Sequence, residues 1–181
     1  MIELLVSIAI LVVGLGGILA VLITAMYSDN RSGQDTTSVM MGEHILEQIA
    51  ANPANSNNII SMTDCAGTVW SISTTGGVGT AGGSGAALTA GGTIDWTQSY
   101  GSVPNNYKMK YVACGPNGAQ QIYDIRWNVI NITCTLDATK CPPTLNPNVQ
   151  MVILSARPAN SLQSGGLRFV TPANLRTIQG I

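Results

Sequence analysis

The sequence predicts an α+β chain in which one long N-terminal helix packs by its C-terminal half on an antiparallel β-sheet. Three observations predict it. An apolar run fills residues 1–28, an apolar stripe of helical period follows it, and sustained strand-like alternation begins only after residue 106. The 181 residues suit one domain, or one domain with an appendage. Charged residues make up only 9% and the net charge is −1, which argues against a strongly basic surface for nucleic acid. Hydrophobic residues reach 45% with only 5% aromatic, so the apolar content is aliphatic, and much of it sits at one end.

Residues 1–28 read as a transmembrane or filament-core half-helix. Leu4 to Ser28 is 25 residues without a charge. As a helix this run is about 37 Å long, and a bilayer needs only about 20 such residues. It exceeds the apolar core of a cleaved secretory signal, and no Lys or Arg precedes it. Glu3 stands out, because a carboxylate at a membrane centre costs about 2.5–3.5 kcal/mol and less near an end. It is either a solvated interfacial residue or an assembly residue. Gly14, Gly16 and Gly17 fall within four positions. They suit close helix packing or local flexibility of the helix.

Residues 29–53 read as the amphipathic half. Polar residues from Asp29 to Ser38 mark the exit into water. Met41, Ile45 and Ile49 then recur every four residues, with Gly42, Leu46 and Ala50 in the adjoining row. Met41, Ile45, Leu46 and Ile49 are the residues expected to pack the helix on the sheet. Asn52-Pro53 supplies the stop, because the residue before a proline resists the α region.

Residues 54–106 read as a helix-to-sheet connection with a mobile Gly/Ser-rich loop, since Ser73 to Thr93 is of low complexity. Residues 107–181 carry the sheet and the C-terminal region. Strands are expected at Tyr107–Cys114, Ile122–Ile130, Val149–Ala156 and Leu167–Thr171. In the second, Tyr123, Ile125, Trp127 and Val129 oppose Asp124, Arg126 and Asn128, which argues for one covered and one solvated face. Lys108 and Lys110 fall on such a solvated face. A sheet of this size makes a thin core alone, and the Met41–Ile49 stripe is its natural cover.

The cysteines Cys65, Cys114, Cys134 and Cys141 lack the tight paired spacing of a zinc site. In an exported chain they read as two disulfides. Cys134 and Cys141 are spaced for a small closed loop, leaving Cys65 with Cys114, and the other two pairings stay open. No catalytic set accompanies the single histidine, His44, which suits a helix-surface or packing role. No phosphate loop or metal spacing is present, so no enzyme activity, cofactor or metal is expected. Asn131-Ile132-Thr133 fits a glycosylation sequon, a motif that recurs by chance.

The run from Met1 to Leu11, Met-Ile-Glu-Leu-Leu-Val-Ser-Ile-Ala-Ile-Leu, resembles the start of mature type IV pilins. Leu11-Val12-Val13-Gly14-Leu15-Gly16-Gly17-Ile18 and the helix end from Gly42 to Pro53 are most similar to PilV-type minor pilins. The likeness covers about residues 1–53, and the rest is similar in pattern only. It implies a pilin-like fold and a minor pilin subunit, held in the bacterial inner membrane with its C-terminal domain exported, then built into a pilus for filament biogenesis or adhesion. The partners it implies are other pilin subunits, inner-membrane lipid before assembly, the pilus assembly machinery and prepilin peptidase. No nucleic acid is indicated. Glu3 would neutralise a neighbouring subunit's N-terminal amine. The family's Gly and Phe-Thr before the Ile-Glu-Leu-Leu motif are expected upstream of Met1. The competing readings are a pseudopilin of a type II secretion system, and a membrane-tethered binding domain that does not polymerise.

Overall fold

The computed structural model describes residues 2–52, 59–77, 83–115, 118–132, 149–159 and 172–179. The chain divides into two compact units, Met1–Thr36 and Thr37–Ile181. A single helix, α1 (Ile2–Ala50), runs unbroken through Gly14, Gly16 and Gly17. No proline occurs before Pro53, so nothing in the sequence removes a helical donor. The hydroxyls of Thr24 and Thr36 bond back to the carbonyls of Ala20 and Ser32 at 2.8 and 2.9 Å, which satisfies them locally. At the far end the Asn52 N–H tightens onto the Ile49 carbonyl at 3.1 Å. The Asn52 side-chain amide donates to the Gln48 carbonyl, also at 3.1 Å. Two otherwise orphaned carbonyls are thus satisfied where the helix stops.

In the second unit the strands are β1 (Ile60–Thr63), β2 (Val69–Ile72), β3 (Ser84–Gly85), β4 (Lys108–Cys114), β5 (Gln120–Ile132), β6 (Val149–Pro158) and β7 (Ala173–Gln179). The long β5 is the spine of an antiparallel sheet. Along one edge β4 pairs with its first half, from Cys114 opposite Gln120 to Lys108 opposite Arg126. Further along that edge β3 takes over at Asn128 and Val129. Along the other edge lies β6, followed by β7. β1 and β2 form a separate hairpin. The Cys65–Cys114 disulfide, Cα–Cα 5.9 Å, fastens that hairpin to the end of β4. Beside it the Cys65 N–H donates to the Val112 carbonyl at 3.2 Å.

The helical stripe does what its period demands. Ile45, Leu46 and Ile49 are buried in one cluster with Met62, Ile72, Met109, Tyr123, Ile125, Trp127, Val152 and Leu154, and Met41 packs at its border. Gly42 is buried because a Cβ there would lie 2.6 Å from Leu175 Cδ1 and 3.1 Å from Leu154 Cδ2. The helix therefore packs on Leu154 and Leu175 at a residue whose missing side chain leaves them room.

The other sheet face departs from expectation. Asp124, Arg126 and Asn128 alternate correctly with the apolar residues of β5, yet all three are buried. Part of the segment read as a mobile connection lies over them. Ala86, Ile94 and Val103 form a second cluster with Ile153, joined at its edge by Leu88, Trp96, Tyr107, Ile130 and Met151. Alternation reports which face is polar, not whether water reaches it. Burial is tolerable here because each polar side chain finds partners. Arg126 Nη1 donates to the Gln98 carbonyl at 2.6 Å, and Asn128 Nδ2 donates to the Ala86 carbonyl at 2.7 Å.

Three strands expected from the sequence occur with longer or shifted ends. The expected strand at Leu167–Thr171 lies outside the described residues, as do Cys134 and Cys141. The last described strand, β7, was not singled out by pattern. Its Ile178 is 69% exposed, on the same face as Asn174 and Arg176, so an apolar residue falls where the pattern calls for a polar one.

Candidate functional site

The first unit concentrates the residues expected to act in assembly. Every side chain from Ile2 to Asp29 is exposed, Glu3 included. One helix is thus long and apolar enough to cross a membrane, by length and composition. A Cβ added at Gly14, Gly16 or Gly17 meets nothing within 4 Å. Gly14 and Gly17 leave a shallow notch bordered by Val13, Ile18, Val21 and Leu22. Nothing within the described chain uses Glu3, the glycines or the surrounding aliphatic surface. The next cation in the sequence is Arg31, about 42 Å up the helix from Glu3 at 1.5 Å per residue.

Of the remaining expected site residues, Met41, Ile45, Leu46 and Ile49 are brought together on the sheet, and Cys65 meets Cys114. His44 is exposed on α1. The Asn131 amide of the sequon is engaged inside the fold. It donates to the Gly76 carbonyl at 3.1 Å, and its oxygen accepts from Gln150 Nε2 at 2.8 Å. Among the described residues no group of three or more His, Cys, Asp or Glu is placed to hold a metal ion.

Sequence reasoning missed a layer of cations and aromatic rings on the second sheet face. Arg126 makes a two-pronged bridge to Asp124, Nε to Oδ1 at 3.0 Å and Nη2 to Oδ2 at 2.8 Å. Its guanidinium carbon lies 4.5 Å from the centre of the Trp96 ring and 5.7 Å from that of Tyr100. Arg157 stacks on Trp96 at 3.9 Å. Lys108 and Lys110 approach the Tyr100 ring at 4.9 and 5.0 Å. Trp96 is pinned by its Nε1, which donates to Ser155 Oγ at 3.1 Å. Lys108 Nζ donates to the Tyr100 carbonyl at 2.9 Å. Burial, reinforced by the Asp124 charge and opposed by Arg126, pushes the Tyr100 phenol up to about 12. Burial also pulls Arg157 below its ordinary value, while the Asp124 charge acts against that shift and Arg126 adds to it. The signal available in sequence was only the run of cations at alternate strand positions. Trp96 and Tyr100 lie outside any expected strand.

No family model matches the chain, and neither does any curated protein or any solved structure.

Proposed function

We propose that the chain is a subunit of a type IV pilin-like filament, of the minor pilin kind, held in a bacterial inner membrane by residues 1–28 before assembly. One observation carries the reading. A single unbroken helix leaves the apolar side chains of its first half uncovered, while Ile45, Leu46 and Ile49 in its second half close the core of a sheet. Uncovered aliphatic surface on that scale calls for lipid or for other helices. A subunit that exchanges one for the other keeps it covered throughout. The disulfide-fastened hairpin suits an oxidising compartment outside the cytoplasm.

Glu3 is the residue on which assembly turns. In lipid a lone carboxylate gains little, whereas in a bundle of such helices it gains if it meets a cation such as a neighbour's amino terminus. Glu3→Gln keeps the shape and removes the charge. In the native host, with the full natural gene, the variant is expected to fold normally but to lower the ratio of sheared-filament to membrane-bound protein several-fold. Assembly equal to the parent's would reduce Glu3 to an interfacial residue. Absence of the parent chain from sheared filaments, together with failure to cross-link to any pilin, would sink the filament reading itself.

A further inference from the structure

The cation–aromatic layer lies wholly in the second unit. Four of the chain's eight Lys and Arg residues, Lys108, Lys110, Arg126 and Arg157, meet there around two rings, in a chain whose net charge is −1. Strand register explains the gathering. Lys110, Asp124 and Arg157 form one row across β4, β5 and β6, and Lys108, Arg126 and Ser155 form the next. Cross-strand partners share a face, so all six side chains project to the same side.

The charges in this grid are not balanced. Asp124 is the carboxylate of the layer, and Arg126 engages both its oxygens. Asp95, next to Trp96, is turned into its own loop by Thr97, whose N–H and Oγ1 donate to Asp95 Oδ1 at 2.8 and 2.6 Å. Lys110 is exposed, and among the described residues its ammonium meets the Tyr100 ring and forms no ion pair. Arg157 is half-buried against Trp96, forms no ion pair among the described residues, and leaves its Nε without an acceptor. Lys108 Nζ donates to the carbonyls of Tyr100 and Gly101, so among the described residues three cations of the grid lack an ion pair. Of these, Lys110 and Arg157 flank the Asp124–Arg126 pair from either side, their backbones two strand spacings or about 10 Å apart.

We propose that this surface binds an acidic polysaccharide, a chain bearing carboxylate or sulfate groups, with Lys110 and Arg157 as its charge contacts. The surface is poorly suited to single-stranded nucleic acid, because cations already occupy faces of Trp96 and Tyr100 on which bases would stack. It is poorly suited to a protein partner, because the Trp96 and Tyr100 rings that would serve as aromatic anchors are already engaged by the chain's own cations. An extended polymer with repeated acidic groups needs neither. It needs spaced cations held in place, and the rings hold these. Binding of this kind is independent of whether the chain polymerises.

The test is a fluorescence-polarisation titration of labelled alginate oligomers, a uronate polymer, with the full chain in neutral detergent micelles. Sulfated dextran, neutral dextran and duplex DNA serve as competitors. Saturable binding that weakens with added salt is expected, with competition by sulfated but not by neutral dextran. Lys110→Gln is expected to weaken it about threefold, as for an exposed charge contact, and Lys110→Gln with Arg157→Gln about tenfold. Near-UV circular dichroism of the tryptophans checks that each variant keeps its fold. Lys110 is exposed, so its single variant decides the matter even if Arg157→Gln unfolds. No binding by the parent overturns the proposal, and so does parent-like binding by Lys110→Gln. Competition by duplex DNA as strong as by sulfated dextran overturns the polysaccharide assignment in favour of unselective polyanion attraction.

Discussion

Asp64 shows how one carboxylate organises a short turn. It accepts from the N–H groups of Ala66 and Thr68 at 3.0 and 2.8 Å, and from Trp70 Nε1 at 2.9 Å. Burial on its own raises the pKa, but the bond from Trp70 and the backbone donors of Thr68, Val112 and Ala66 act together against it, and the net result lies below the ordinary carboxylate value. The sign follows directly. A carboxylate depressed in the folded state adds stability that is fully present above the unfolded value near 3.8 and is lost as pH falls through the folded value. The hairpin should therefore loosen only in acid below that value. Trp70 emission followed on acid titration is expected to change there, and Asp64→Ala should remove the transition while weakening the hairpin at neutral pH. The Asp124–Arg126 pair is a different case. Each partner is nearly enclosed, so the bridge is kept by geometry and by the Gln98 carbonyl rather than by solvent.

Among the elements, the C-terminal half of α1 and the β1–β2 hairpin owe their places to different forces. The helix is held by aliphatic burial. Ile45 is 1% exposed while Met40, five residues earlier, is 61% exposed. Ile45→Ala is expected to cost about 2–5 kcal/mol in chemical denaturation, against less than about 0.5 kcal/mol for Met40→Ala. Equal effects would mean that the stripe does not pack as described. The hairpin contributes Met62 and Ile72 to the core, but its covalent tie is Cys65–Cys114, 49 residues apart in sequence. In the chain-entropy account a loop of that length stabilises by about 4 kcal/mol. Cys114→Ser should lower the unfolding free energy by an amount of that order, and peptide mapping without reduction should recover Cys65 joined to Cys114 in the parent.

For the whole molecule, the exposed aliphatic half of α1, long and apolar enough to cross a membrane, bears on how the protein is handled. The protein is expected to stay with membranes on alkaline extraction and to require detergent. Val12→Arg places a charge near the middle of the apolar run at a cost of about 2.5–3.5 kcal/mol at a bilayer centre, so a larger share of the chain should be extracted. Unchanged extraction would show that residues 1–28 are not the anchor. The helix and its two characters were legible in sequence, because an uncharged run and a four-residue stripe are local patterns that no other element can override. So were β4 and β5, whose alternation follows from backbone geometry, and β6, whose run from Val149 to Ala156 is apolar on both faces as a central strand requires. Only the tertiary structure decided that the polar face of β5 is covered, that β7 closes the sheet, and that four scattered cations meet around Trp96 and Tyr100. Those outcomes depend on where a connection of low apolar content lies and on which residues stand opposite one another across strands. Register and loop placement are set by contacts between residues far apart in the chain, which no local pattern encodes.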